Sequence, residues 1–207
     1  MPPPPLARRK LLDAAIDVFR AGGFSATSVD DLCAAAGVTK GAFFHHFDSK
    51  EALAVAATRR WSEVTDGLFD RADYRRIEDP LDRLLAYLAF RRALLRAGDL
   101  AHVTCLLGTL AQETFASHPA IRAACGAGIV HHACDVEADV AAAKQRYAPH
   151  AAFSPREIAL FTQATLQGAF VLAKAQGDVA VAEACVDHLI AYVRSLFAGG
   201  RNEGGAS

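Results

Sequence analysis

The sequence predicts an all-α chain. Alanine, the strongest helix former, is the commonest of its 207 residues, and the alternating Val, Ile and Thr runs of sheet proteins are missing. Apolar residues recur at helical spacing, as at Leu12, Ala15, Ile16 and Phe19. Proline stays out of the apolar segments and stands between them, at Pro80, Pro119, Pro149 and Pro155, where it acts as punctuation.

The first helix runs from about Leu6 to Ala21, and Gly22-Gly23 stops it. A short helix follows, from Thr27 or Ser28 to Ala36, with Thr27-Ser28-Val29-Asp30 read as a capping box that ends in aspartate. Gly37 supplies a tight turn, and Thr39 caps a third short helix that ends near His46. Asp48-Ser49-Lys50-Glu51 opens a longer helix carrying Leu53, Val55 and Trp61. Five more helices are expected at about 80–97, 100–116, 118–147, 155–176 and 178–198. A glycine-rich tail from Gly199 to Ser207 is expected to be disordered. The resulting plan is an N-terminal three-helix domain over 1–52, a helical bundle over 53–198 and a tail over 199–207.

Composition removes several classes of function. Lys+Arg total 22 and Asp+Glu 23, a net charge of −1, which excludes a protein that coats nucleic acid by bulk charge. Nothing approaches the roughly 18 consecutive apolar residues of a membrane span. Ile158 to Ala173 is interrupted by Thr162, Gln163, Thr165 and Gln167, and Pro2 to Pro5 leave no signal core. Five cysteines without a Cys-x-x-Cys pair argue against a disulfide framework. The expectation is a soluble cytoplasmic protein with no membrane partner. Phosphate-binding, nucleophile-elbow, zinc-protease and dinucleotide motifs are all missing, so neither an enzyme nor a cofactor is expected. Cys125, His131, His132 and Cys134 share a helix, but residues 125 and 132 stand ~10 Å apart along it, and no metal site is expected.

Three short helices with a glycine turn between the second and third form the arrangement of a helix-turn-helix DNA reader. Val29, Leu32 and Ala36 face inward on the second, and Phe43 and Phe47 are buried from the third. That leaves Thr39, Lys40, Gly41, Phe44 and His45 outward, with small Gly41 and Ala42 allowing close approach to a groove. A purely structural turn has the same spacing. Residues 1–50 hold six Lys/Arg against five Asp, a net +1, so useful affinity requires two copies.

The stretches Gly23-Phe24-Ser25-Ala26-Thr27-Ser28-Val29-Asp30-Asp31-Leu32 and Ala36-Gly37-Val38-Thr39-Lys40-Gly41-Ala42-Phe43-Phe44-His45-His46-Phe47-Asp48-Ser49-Lys50-Glu51-Ala52-Leu53 resemble the N-terminal domain of the TetR family of transcriptional regulators. The resemblance implies DNA contact by Thr27, Ser28, Thr39, Lys40, Gly41, Ala42, Phe44, His45 and Lys50. In it Thr27 and Thr39 meet phosphates, residues 40, 41, 42 and 45 approach the major groove, and Lys50 pins the backbone. The family usually has Tyr where this chain has Phe44, so one hydroxyl contact is lost.

The resemblance also implies a homodimer. Ala182, Val186, Leu189, Ile190, Val193 and Phe197 form a stripe at helical spacing, and Phe161, Leu166 and Phe170 with Gly168 supply further faces. A monomer core can use the same stripe. Candidates for an effector pocket are Trp61, Phe90, Cys105, Thr109, Glu113, His131, Gln167 and Lys174. The run Thr104 to Glu113 resembles a branch of repressors that answer electrophiles and quinones through a cysteine at the place of Cys105, with a lysine matching Lys174 near it. The expected function is a ligand- or redox-responsive regulator, a repressor binding a palindromic double-stranded operator as a homodimer. The alternative is a helical small-molecule or redox-binding protein without operator recognition.

Overall fold

The computed structural model describes residues 6–97 and 104–199. The N-terminal prolines, the start expected for a helix at residue 100 and the tail beyond residue 199 lie outside the described residues. Nine helices are described: α1 (Leu6–Gly22), α2 (Val29–Ala36), α3 (Lys40–His46), α4 (Lys50–Asp70), α5 (Pro80–Leu94), α6 (Leu106–Thr114), α7 (Pro119–Tyr147), α8 (Pro155–Gln176) and α9 (Ala180–Leu196). No strand occurs among the described residues, and the fold class is the one expected. Sequence reasoning missed a 3₁₀ turn at Asp73–Arg76, which buries Tyr74 between α4 and α5. It also drew α6 too long at both ends. Cys105 is extended (φ −84°, ψ 125°) and starts that helix, and Thr114 closes it by accepting from the His118 amide.

The chain packs as two units. The first comprises the residues up to Leu68 together with Thr104–Ile129. Leu11, Phe19, Leu32, Phe43 and Leu53 are fully buried in its core, joined by Ala54 and Ala57 of α4, Leu106 and Leu110 of α6, and Ile121 and Cys125 of α7. Each large side chain removed from water in this way contributes about 1.5–3 kcal/mol. The expected boundary after residue 52 therefore falls inside a helix whose first turns belong to this core.

The second unit holds Phe69 through α5, α7 from Val130, α8 and α9. Asp79 caps α5 through the Leu81 and Asp82 amides, and Pro80 occupies the first turn, where its missing N–H costs nothing. Leu81, Leu84 and Leu88 of α5 meet Val136 and Val140 of α7, Ile158 of α8, and Leu189, Val193 and Phe197 of α9. Arg83 Nε donates to Asp139 at 2.8 Å, Arg92 of α5 pairs with Glu183 and Asp187 of α9, and Arg96, in the turn after α5, pairs with Glu183. By length and composition α8 is apolar enough to cross a membrane, but it is a partly buried wall of this core.

The stripe expected at a dimer interface is mostly internal. Leu166, Phe170, Val186, Leu189 and Val193 are buried within the protomer, Ile190 is half-buried, and Phe161 and Gly168 are exposed. The same periodicity serves either role. Here α8 and α9 turn it toward each other and toward α5.

Candidate nucleic-acid interface

Local chemistry sets the α2–α3 geometry. The Ser28 Oγ accepts from the Asp31 amide at 3.1 Å, and the Asp31 carboxylate accepts from the Ser28 amide at 2.8 Å. This is a full capping box, one residue later than the sequence suggested, because Ser28 rather than Thr27 is the N-cap. The Ser28 side chain and amide hold the Asp31 carboxyl below its ordinary range. Gly37 ends α2 at φ 61°, a left-handed conformation that favours glycine, and its amide reaches the Ala34 carbonyl. The chain is thereby redirected into α3, where the Thr39 hydroxyl caps the Ala42 amide at 3.1 Å.

Phe43 and Phe47 anchor one side of α3 in the core. On the other side Thr39, Lys40, Gly41 and His45 are exposed, Ala42 is half-buried, and Phe44 is 51% exposed, edge-on to Phe43. Lys40 Nζ lies 3.0 Å from Asp30, so its charge is partly neutralised in the free chain.

Two expected phosphate contacts are placed differently. Thr27 is buried, and its hydroxyl donates to the Gly23 carbonyl at 2.6 Å, so it shapes the α1–α2 turn instead of facing outward. Lys50 Nζ donates to the Phe24 and Thr27 carbonyls, at 2.8 Å each, and sits 4.2 Å over the Phe24 ring. Its charge is spent on protein carbonyls in the same turn. Ser28 is exposed, but its hydroxyl is committed to the capping box.

Glu113, expected in a pocket, also belongs to this scaffold. Its carboxylate accepts from the Phe24 and Ser25 amides at 2.5 and 2.7 Å. Burial pushes its carboxyl up, but those two amides and Lys50 outweigh it and hold the group below its ordinary value. No sequence signal pointed to this tie, because its partners lie nearly ninety residues apart in the chain.

The remaining effector candidates divide between the two units. Trp61 lies under the Arg20 guanidinium at 4.6 Å, and the Thr109 hydroxyl donates to the Cys105 carbonyl. Cys105 is half-buried at the start of α6 and influences the buried Cys125, whose thiol burial pushes up to about 12. These residues belong to the first unit, whereas Phe90, His131, Gln167 and Lys174 belong to the second. His131 and Lys174 are exposed there, and Gln167 is half-buried. The inward neighbours are His132 and Gln163, which sequence reasoning passed over. Among the described residues no cluster of His, Cys, Asp and Glu could hold a metal ion.

A capped three-helix unit that turns on Gly37 and displays one face of its last helix is a helix-turn-helix. Residues 11–57 match the family described as bacterial regulatory proteins, tetR family. The transcriptional repressor KstR2 of Rhodococcus jostii is 48% identical over 46 residues, 22% of each chain. The transcriptional regulator AcuR of Cereibacter sphaeroides is 31% identical over 125 residues, 58% of this chain and 54% of that one. The chain thus spans about a fifth to a half of the length of these curated relatives. A solved TetR transcriptional regulator from Chloroflexus aurantiacus is 25% identical, with a TM-score of 0.77, over 90% of this chain and 93% of that one. Residues 11–57 thus match the N-terminal domain of the tetR family of bacterial regulatory proteins, and the whole chain shares its fold with solved TetR regulators.

Proposed function

We propose that the chain is a transcriptional repressor that binds a palindromic operator as a homodimer in the cytoplasm and releases it when an effector binds. The observation that carries this reading is the face of α3. Lys40, Gly41 and His45 stand exposed on a helix fixed from behind by Phe43 and Phe47, with small Gly41 and Ala42 where a groove wall must approach. The exposure of Thr39 at the start of that helix supports its contact with a phosphate.

One reader with a net charge near +1 binds duplex weakly, and two readers about one helical turn apart, ~34–36 Å, are needed. Exposed apolar residues on the second unit support a surface for the second copy. Leu160, Phe161, Val171 and Leu172 of α8 and Tyr192 of α9 are each 41–46% exposed, and the Phe161 and Tyr192 rings meet at 5.2 Å. Ala164 and Gly168 lie exposed among them, small enough for close helix packing. This face replaces the buried stripe as the proposed interface.

The test is a mobility shift on DNA from the chain's own upstream region. Wild type is expected to retard it in a salt-dependent way, and Lys40→Ala with His45→Ala to weaken the shift by tenfold or more. A wild-type chain that ignores this DNA at every salt concentration overturns the proposal in favour of a helical ligand-binding protein.

A further inference from the structure

The second unit contains a polar centre that the DNA-reading role does not use. Phe69 from the end of α4, Tyr74 and Arg75 from the 3₁₀ turn, Tyr87, Phe90 and Arg91 from α5, His132 from α7 and Gln163 from α8 contribute to it. The rings of Phe69, Tyr74, Tyr87 and Phe90 contact one another with centroids 5.6–6.0 Å apart, and Phe69 lies 4.7 Å from the His132 imidazole.

This centre holds more donors than acceptors. The Tyr87 hydroxyl at 2.9 Å and Arg91 Nη1 at 3.2 Å both converge on His132 Nε2, which offers a single lone pair. Gln163 is only 5% exposed, faces Tyr87, and its Nε2 has no acceptor. Arg75 Nε is buried without an acceptor as well. An unmet buried donor is costly, so each of these groups favours whatever brings an acceptor.

Charge is in surplus too. Arg75 is matched by Asp70 at 3.5 Å and Asp135 at 3.1 Å. Arg91 lies 5.3 Å over the Phe69 ring, and no described carboxylate lies within ion-pair distance of it. His132 cannot add to the positive charge, because burial, then Arg91 and Arg75, push its pKa down to about 3. The balance is one positive charge unmatched by any described carboxylate, two buried N–H donors without acceptors, and aromatic walls.

We propose that this centre binds the carboxylate of a small monoanionic ligand with an apolar or aromatic body. The carboxylate lies against Arg91 and accepts from Gln163 Nε2, and its body packs on Phe69, Tyr74 and Phe90. A carboxylate supplies acceptor positions for several donors at once and a single negative charge that matches Arg91. A phosphate dianion would leave one charge uncompensated among aromatic rings, which disfavours it. This names the effector class for the regulator proposed above and rests on that reading for its biological role; binding itself requires no DNA.

The experiment is calorimetry and thermal shift on the full chain without DNA. The probes are benzoate, 3-phenylpropionate and hexanoate, with benzamide and inorganic phosphate as controls, each to about 10 mM. At least one carboxylate is expected to bind and raise the melting temperature, while benzamide and phosphate do not. Arg91→Met should weaken carboxylate binding tenfold or more, and Arg91→Lys less so. Gln163→Leu, which keeps the charge and fills the same space, should weaken it severalfold and supplies the readout should Arg91→Met fail to fold. Equal binding of benzoate and benzamide, stabilisation by phosphate alone, no response to any carboxylate, or wild-type affinity in both Arg91→Met and Gln163→Leu overturns the proposal. Carboxylate binding by a chain that ignores its upstream DNA would sink the regulator reading and leave this site standing, and the converse result would do the opposite.

Discussion

A double-mutant cycle between Gly23 and Glu113 tests the tie that holds the α1–α2 turn. Gly23 sits at φ 83°, and a Cβ built there would come within 2.8 Å of Glu113 Oε2. That carboxylate is the end of a flexible side chain, but two backbone amides hold it in place. Glu113→Ala loses two charge-assisted hydrogen bonds, about 2 kcal/mol in all when discounted for solvent exposure. Gly23→Ala in the wild type costs about 1 kcal/mol of left-handed strain and about 1–2 more because the carboxylate must give way. With Glu113 already removed, only the strain remains. The cycle should therefore show a coupling of about 1–2 kcal/mol, with the double variant more stable than the sum predicts. Urea unfolding midpoints at constant m-value measure it. The pH dependence follows from the direction of the Glu113 shift. Its folded-state pKa is depressed, so its contribution is complete above the ordinary value of 4.5 and is lost as pH falls through the folded value. The gap between wild type and Glu113→Ala should close in acid. Additive single effects, or a gap that does not narrow as the pH falls below 4.5, would refute the reasoning.

Other parts of the structure carry their own expectations. Asp30→Asn frees Lys40 and removes a negative charge beside α3, so duplex affinity should rise severalfold at low salt, and a mobility shift at two salt concentrations checks it. Phe161→Asp should convert a dimer to monomers at micromolar concentration with little change in unfolding, as read by analytical ultracentrifugation. Val186→Asp, fully buried, should instead unfold the chain. Asp139→Asn strips the Arg83 guanidinium of its buried partner and should cost about 2 kcal/mol, lowering the melting temperature by about 4–8 °C. His132 is kept neutral, with its pKa depressed to about 3, so its contribution is complete above its ordinary value of 6.5 and declines as pH falls. Between pH 6 and pH 5 wild type should lose about 1 kcal/mol relative to His132→Gln, and the His132 ring signals should not titrate over that range.

What the sequence made legible was local. Capping residues, the Gly37 turn and the Phe43–Phe47 spacing each act within a few positions, and the structure places α2 and α3 within a residue or two of expectation. What it hid depended on partners far along the chain. Thr27 looks like any exposed N-terminal hydroxyl until Gly23 and Lys50 close over the turn. Glu113 looks like a polar residue on an amphipathic helix until its carboxylate meets Phe24 and Ser25.

The inward polar residues were closer to legible. Ala133, Val136, Val140 and Ala143 are buried on α7, and the residue four before Val136 on that face is His132, not His131. On α8 the buried run Ala159, Thr162, Leu166 and Phe170 likewise puts Gln163 inside and Gln167 at the margin. The stripe on α9 shows the opposite limit. Val186, Leu189 and Val193 satisfy a dimer seam and a protomer core equally well, since an apolar face records only that it must be covered. The residues that separate the two cases are those left exposed once α5, α8 and α9 have packed. Phe161 and Tyr192 meet that condition, and the buried stripe does not.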